Sequence, residues 1–219
     1  MAWCLFAGCA SASPAITDRL VIGDPAGDDH GPGAYVYPQG EVYGPGALDL
    51  REVRLVRDGD AVVIEAVFHR PVTVARGVRL AREQVADLFV ATVDVYIDLR
   101  RGDGAGSQLG LPGRRVQLPD GVGWDLAVVL SPIPVRLAQA LEGHRSVGHW
   151  LVPTRVRVRG RTLTARVPAS HFEGLPLRDV GLAVAVTGTV FGSTFRTEVD
   201  GMVPTAFVRE VTERPGRCD

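Results

Sequence analysis

The sequence predicts an all-β protein, a single-domain antiparallel β-sandwich with one or two short helices. Three observations predict it. Eight or more short runs rich in Val, Ile, Thr and aromatic residues recur along the chain, with Gly, Pro or Asp-Gly turn signals every ~8 to 15 residues. Helical periodicity is almost absent, which is the pattern expected of a sandwich and not of a mixed α/β chain. At 219 residues and 46% hydrophobic content, the chain can build one sizeable core.

The elements follow in order. Gly23 to Pro38 (GDPAGDDHGPGAYVYP) holds three Asp, four Gly and three Pro, so it reads as an ordered loop that ends in a short strand at Tyr35 to Tyr37. A second turn follows at Val42 to Ala47. Leu48 to Val56 alternates as a half-buried strand, Asp58-Gly59 signals a hairpin, and Ala61 to Phe68 (AVVIEAVF) is its return strand. Between Val78 and Phe89, apolar residues at Leu80, Val85, Leu88 and Phe89 fit a helical stripe better than alternation, so a helix is expected there. Thr92 to Leu99 (TVDVYIDL) is a strand, and Arg100 to Pro112 a Gly-rich excursion whose Arg101-Gly102-Asp103 is read as a plain turn. Trp124 to Leu130 gives another strand and Pro134 to Leu141 a short helix. Thr154 to Val158 and Thr162 to Val167 form a hairpin, basic on one face and apolar on the other, hence a sheet with one wet side. Gly181 to Thr187 and Met202 to Val211 supply the last strands.

Charge and cysteine narrow the function. The 24 basic and 25 acidic residues leave a net charge of -1, which recommends neither nucleic acid nor an anionic membrane surface as partner. Every basic residue is Arg, and the chain contains no Asn, so no N-linked sequon exists. Cys4, Cys9 and Cys218 lie at the extreme ends, leaving no disulfide framework or zinc spacing in the body. Residues 1–18 read as an apolar export signal lacking its basic part, and Leu5-Phe6-Ala7-Gly8-Cys9 is similar to a bacterial lipobox in which Cys9 would carry a lipid anchor. The expected divisions are this segment, a sandwich over 19–212, and a tail over 213–219. Extracytoplasmic placement, secreted or attached to the envelope, is the corresponding expectation.

Two chemistries suit the residues. Asp24, Asp28 and Asp29 crowd one loop and repel one another unless neutralised, so a calcium ion that takes carboxylate and main-chain oxygens is a natural brace. Asp49, Asp98 and Asp200 are candidates to close that site from other strands, and Asp caps or Arg ion pairs are the alternative use of the same acids. Sugar binding requires an exposed aromatic face edged by polar groups; Trp124, Trp150, Tyr35, Tyr37 and Tyr43 are the candidates, with Trp150 beside His149 the first to test. No G-x-S-x-G elbow is present and the body holds no Cys, so no catalytic residue is assigned.

Gly23-Asp24-Pro25, Gly27-Asp28-Asp29, Gly31-Pro32-Gly33, Tyr35-Val36-Tyr37-Pro38 and Pro45 to Leu50 together resemble the carboxy-terminal binding module of bacterial glucodextranase. Asp94-Val95-Tyr96-Ile97-Asp98, Leu111-Pro112-Gly113-Arg114 and Trp124-Asp125 continue the likeness in the same order, so that it spans about Val21 to Phe207. The resemblance implies a sandwich similar to family 9 carbohydrate-binding modules and DOMON-like domains, a noncatalytic role, structural calcium at the opening loop, and a polysaccharide or cell-envelope glycan as partner. Arg79 to Leu88 and Val190-Phe191-Gly192-Ser193 depart from the family's pattern where sugar contacts would lie. An envelope-attached structural or interaction protein with no sugar site is therefore the alternative, and a polysaccharide hydrolase a third.

Overall fold

In the structure, a computed structural model, the described residues are 18–29, 43–80, 84–114, 116–118, 121–142, 149–188 and 211–212. Period-two patterning dominates them. Leu50–Asp58 (β2) and Ala61–Phe68 (β3) alternate buried and half-buried positions and pair antiparallel through a tight turn at Gly59 and Asp60. Gly59 has φ +61°, a left-handed conformation that a residue with a Cβ enters only at a cost. Thr162–Pro168 (β10) pairs with β3, and Arg157–Arg159 (β9) pairs with β10 as the edge. With Arg19–Gly23 (β1) on the opposite edge, the order of this first sheet is β1-β2-β3-β10-β9.

The second sheet runs β12-β11-β6-β7-β8, built from Val211–Thr212 (β12), Gly181–Gly188 (β11), Ala91–Asp98 (β6), Leu126–Leu130 (β7) and His149–Leu151 (β8). Here the patterning differs: every residue of β6 and β7 is buried, because this sheet is covered on both faces. Inward, Val93, Val95, Ile97, Val128 and Val184 meet Leu55, Ile64, Phe68 and Leu163 of the first sheet in the main core of the sandwich. Outward, Tyr96, Ala127, Val129, Ala183 and Ala185 meet a second core from Leu111, Leu118 and Trp124 of the long excursion, and from Leu137 and Leu141 of the helix Pro134–Glu142 (α1).

The excursion lies close on itself. A Cβ on Gly123 would meet the Ala105 carbonyl oxygen at 1.9 Å, and one on Gly106 would meet the Trp124 backbone at 2.8 Å. Glycine at both positions is what lets Ser107 and Trp124 form an isolated bridge.

The predicted fold class is the observed one, with α1 falling where a short helix is expected. One element is corrected. The expected helix between Val78 and Phe89 is a two-stranded ribbon, Val74–Leu80 (β4) against Gln84–Phe89 (β5). Leu80 ends β4 while Val85, Leu88 and Phe89 belong to β5, so the helix-like spacing runs across the connection between two antiparallel strands. The parallel edge strand β8 also carried no recognisable sequence signal. The strand expected at Tyr35 to Tyr37, and all of Met202 to Val211 but its last residue, lie outside the described residues.

Candidate functional site

The later motifs shared with the resembled family, from Asp94 to Asp125, converge at the second core. Arg114 and Asp94, 20 residues apart, form a fully buried ion pair, with Nε to Oδ2 at 2.5 Å and Nη2 to Oδ1 at 3.2 Å. Beside them the Tyr96 hydroxyl accepts from the Leu111 backbone N–H at 3.1 Å. Burial, followed by the neighbouring Asp94 charge, pushes the Tyr96 phenol far above its ordinary range. The Trp124 ring lies 5.4 Å from that of Tyr96 and donates its indole N–H to the Leu109 carbonyl at 2.8 Å. Asp125 accepts from the Leu99 N–H at 2.9 Å and pairs with Arg100. These motifs therefore clamp the excursion onto the sheet; nothing in their geometry presents them to a ligand.

That arrangement corrects two aromatic candidates. Trp124 is 2% exposed and Tyr43 7%, and the Tyr43 hydroxyl donates to the Val90 carbonyl at 3.4 Å, so neither ring has a face on which a sugar could stack. Both are aromatics whose apolar area serves the core. Tyr35 and Tyr37 lie outside the described residues. Trp150 is half-buried on β8, packed against the second core, and its neighbour His149 stacks on His171 with ring centroids 5.3 Å apart. Burial, with the adjacent His149, lowers the tendency of His171 to take up a proton.

The opening acidic loop folds over the start of β2. Asp24 donates its N–H to the Arg51 carbonyl at 2.8 Å, and Gly27 donates to Asp49 Oδ2 at 2.8 Å. Asp24, Asp29 and Asp49 are all buried there, and Asp28 is half-buried. Asp49, 1% exposed, also stands 4.0 Å from His69, while its Oδ1 is buried without a hydrogen-bond partner. Among the described residues no group of three or more His, Cys, Asp or Glu is placed to hold a metal ion.

Asp98 takes no part in this loop. The loop binds the Leu50 end of β2 through Arg51. Asp98 pairs with Gly181, shortly after Leu177, whose N–H donates to Asp18 beside the Val56 end of β2, so Asp98 closes the end of β6 remote from Ala91. Eight strand residues separate the two ends by about 23 Å. Asp98 instead accepts from the Arg100 N–H at 2.9 Å, and burial, with Asp125 and Asp103 adding to it, pushes its carboxyl above the usual range. Asp200 lies outside the described residues.

A cavity opens on the outer face of the first sheet, at the β9 edge. It encloses about 300 Å³ and is lined by Val63 of β3, Thr164 and Arg166 of β10, Arg157 of β9, and Pro153, Thr154 and Arg155 of the segment leading from β8. The run Thr154-Arg-Val-Arg-Val-Arg explains it: alternation sends Arg155, Arg157 and Arg159 to one face while Val156 and Val158 pack against the main core. Alternation in the sequence marks that face as basic and wet but not as concave, because the concavity depends on where residues 153–155 cross from one sheet to the other.

The chain is a two-sheet β-sandwich with a solvent-open cavity on one sheet face, and among the described residues no helix is long and apolar enough to cross a membrane. Over residues 20–218 the chain matches the family described as the C-terminal, SLH-like binding module of glucodextranase, and it belongs to that family. No protein of curated function matches it.

Proposed function

We propose that this chain is a noncatalytic glycan-binding module acting outside the cytoplasm, on a polysaccharide or a cell-envelope glycan. The observation that carries the reading is the family match, which covers almost the whole sandwich and names a binding module, not a catalytic domain. The cavity beside β9 supports it, since hydroxyls, guanidinium groups and apolar surface that can meet a sugar lie together in one concavity. Affinity electrophoresis against dextran, xylan, cellulose and acidic polysaccharides is the test. Retention by at least one is expected, and free migration through all of them would overturn the reading in favour of an envelope structural protein. The burial of Trp124 and Tyr43 is the observation favouring that second reading.

The opening loop is proposed to be braced by calcium through Asp49 and its neighbours Asp24, Asp28 and Asp29. Buried carboxylates are costly without a compensating charge, and the orphaned Asp49 Oδ1 is an oxygen such an ion would satisfy. Loop carbonyls would have to complete the shell, given the absence of a three-acid group among the described residues. Because an ion bound only by the native state stabilises it, excess chelator should lower Tm. An unchanged melting curve would remove calcium and leave a brace made only of hydrogen bonds such as Gly27 to Asp49. Lipidation at Cys9 is likewise proposed, and mass spectrometry of the mature protein from a bacterial host would check it.

A further inference from the structure

We infer that the cavity on the first sheet selects acidic polysaccharides, recognising the carboxylate of a uronic-acid unit through Arg155 and Arg157. The inference rests on the glycan-binding reading and names the ligand class for it.

The arginines of this face are not equivalent. Arg54 pairs with Glu52 and with Glu65, the latter at 3.4 Å, and Arg166 pairs with Asp58 at 2.5 Å. Arg155 and Arg157, by contrast, make no ion pair or side-chain hydrogen bond among the described residues, although both line the cavity. Glu65 is the acid opposite Thr164 in the register, and it is engaged by Arg54. Two uncompensated guanidinium groups thus border one concavity.

A guanidinium presents a planar fork that matches a carboxylate with two parallel N–H donors. Thr154 and Thr164 add hydroxyls that can donate to or accept from sugar hydroxyls, and Val63 gives an apolar patch for the C–H face of a ring. The cavity, at about 300 Å³, is at the small end of ligand sites, suited to one or two sugar units of a longer chain passing over an open sheet face. The net charge of -1 means that attraction of the anion is local to this patch and not a property of the whole surface. A uronic-acid polymer offers the three features together: a carboxylate, ring hydroxyls and an apolar ring face.

The test compares polygalacturonate, dextran and inorganic polyphosphate by titration calorimetry on the full chain, using wild type, the double variant Arg155→Gln/Arg157→Gln, and Arg19→Gln as a control on the opposite edge strand. Wild type should bind polygalacturonate, and the double variant should lose about tenfold or more, the scale of a lost charge-assisted pair. Arg19→Gln should not change binding. The double variant Arg155→Lys/Arg157→Lys, which keeps charge and loses the fork, should fall between the two. Dextran bound as well as polygalacturonate, with neither affinity altered by the Gln variants, would overturn the inference and leave glycan binding standing at another site. Polyphosphate bound as tightly as polygalacturonate would replace it with a general anion site. No binding to any polysaccharide would overturn both readings.

Discussion

The two outer faces of the sandwich have opposite characters. On the second sheet, the excursion and α1 bury Tyr96, Ala127, Val129, Ala183 and Ala185 under a second core, and even the charged pair Asp94 and Arg114 is sealed inside it. The first sheet leaves its outer face open, with Arg54, Glu65, Thr164 and Arg157 in one cross-strand row. The shared motifs from Asp94 to Asp125 lie on the covered face and hold the fold together, while the described part of the opening motif folds over the start of β2 on the first sheet. Groups free to meet a ligand lie on the open one. A motif's specificity for a family therefore says little here about where that family binds, since Asp94, Tyr96, Leu111, Arg114 and Trp124 are all withdrawn from solvent.

The largest effect should come from breaking the buried pair. Arg114→Met leaves Asp94 as an uncompensated buried charge, and denaturant unfolding should show a loss of about 3 to 5 kcal/mol. Replacing both partners with apolar residues of similar volume should recover most of it, because the pair's own net contribution is small. A single variant that unfolds no more easily than wild type would mean that the second core does not depend on the pair.

The next effect is alkaline. Burial and Asp94 hold the Tyr96 phenol above its unfolded value near ~10, so the unfolded chain loses its proton first. The stability this provides is complete below pH ~10 and falls as pH rises towards the folded value, by about 1.4 kcal/mol per pH unit. Tyr96→Phe should flatten that slope, and a slope left intact by the substitution would assign it to another group.

Acid should act more weakly, at the margin of the sandwich. His171 has a folded pKa lowered by burial and by His149, so the unfolded chain takes up the proton first. Stability is present above pH ~6.5 and declines as pH falls from there through the folded value. Thermal melts at pH 7 and 5 should show the decline, and His171→Gln should reduce it.

The smallest effect belongs to the open face. Arg157→Ala removes a side chain with no described partner, and unfolding free energy should stay within about 0.5 kcal/mol of wild type. A larger cost would show that this face is structural after all, and would weaken the contrast between the two sheets.

Local chemistry decided what could be read without the structure. Alternation in Leu50 to Phe68 and the Asp58-Gly59 signal located the first hairpin within two residues, because strand period and turn conformation are properties of neighbouring residues. The same rule failed at β4 and β5, where the apolar spacing that suggested a helix runs from the end of one strand into the next. It was silent on which faces a distant part of the chain would cover. Trp124 resembled a sugar platform in sequence and is a core residue in the fold, and Asp98 resembled a partner of Asp24 and lies at the opposite end of the sandwich.

By itself the sequence determined the fold class, the family likeness and the basic face that carries Arg155 to Arg159. Tertiary structure alone decided that Arg114 is spent on Asp94 while Arg155 and Arg157 remain available at a cavity. The physical reason is that a side chain's periodicity fixes which way it points, but its partner and its solvent depend on the path of chain brought over it from far along the sequence.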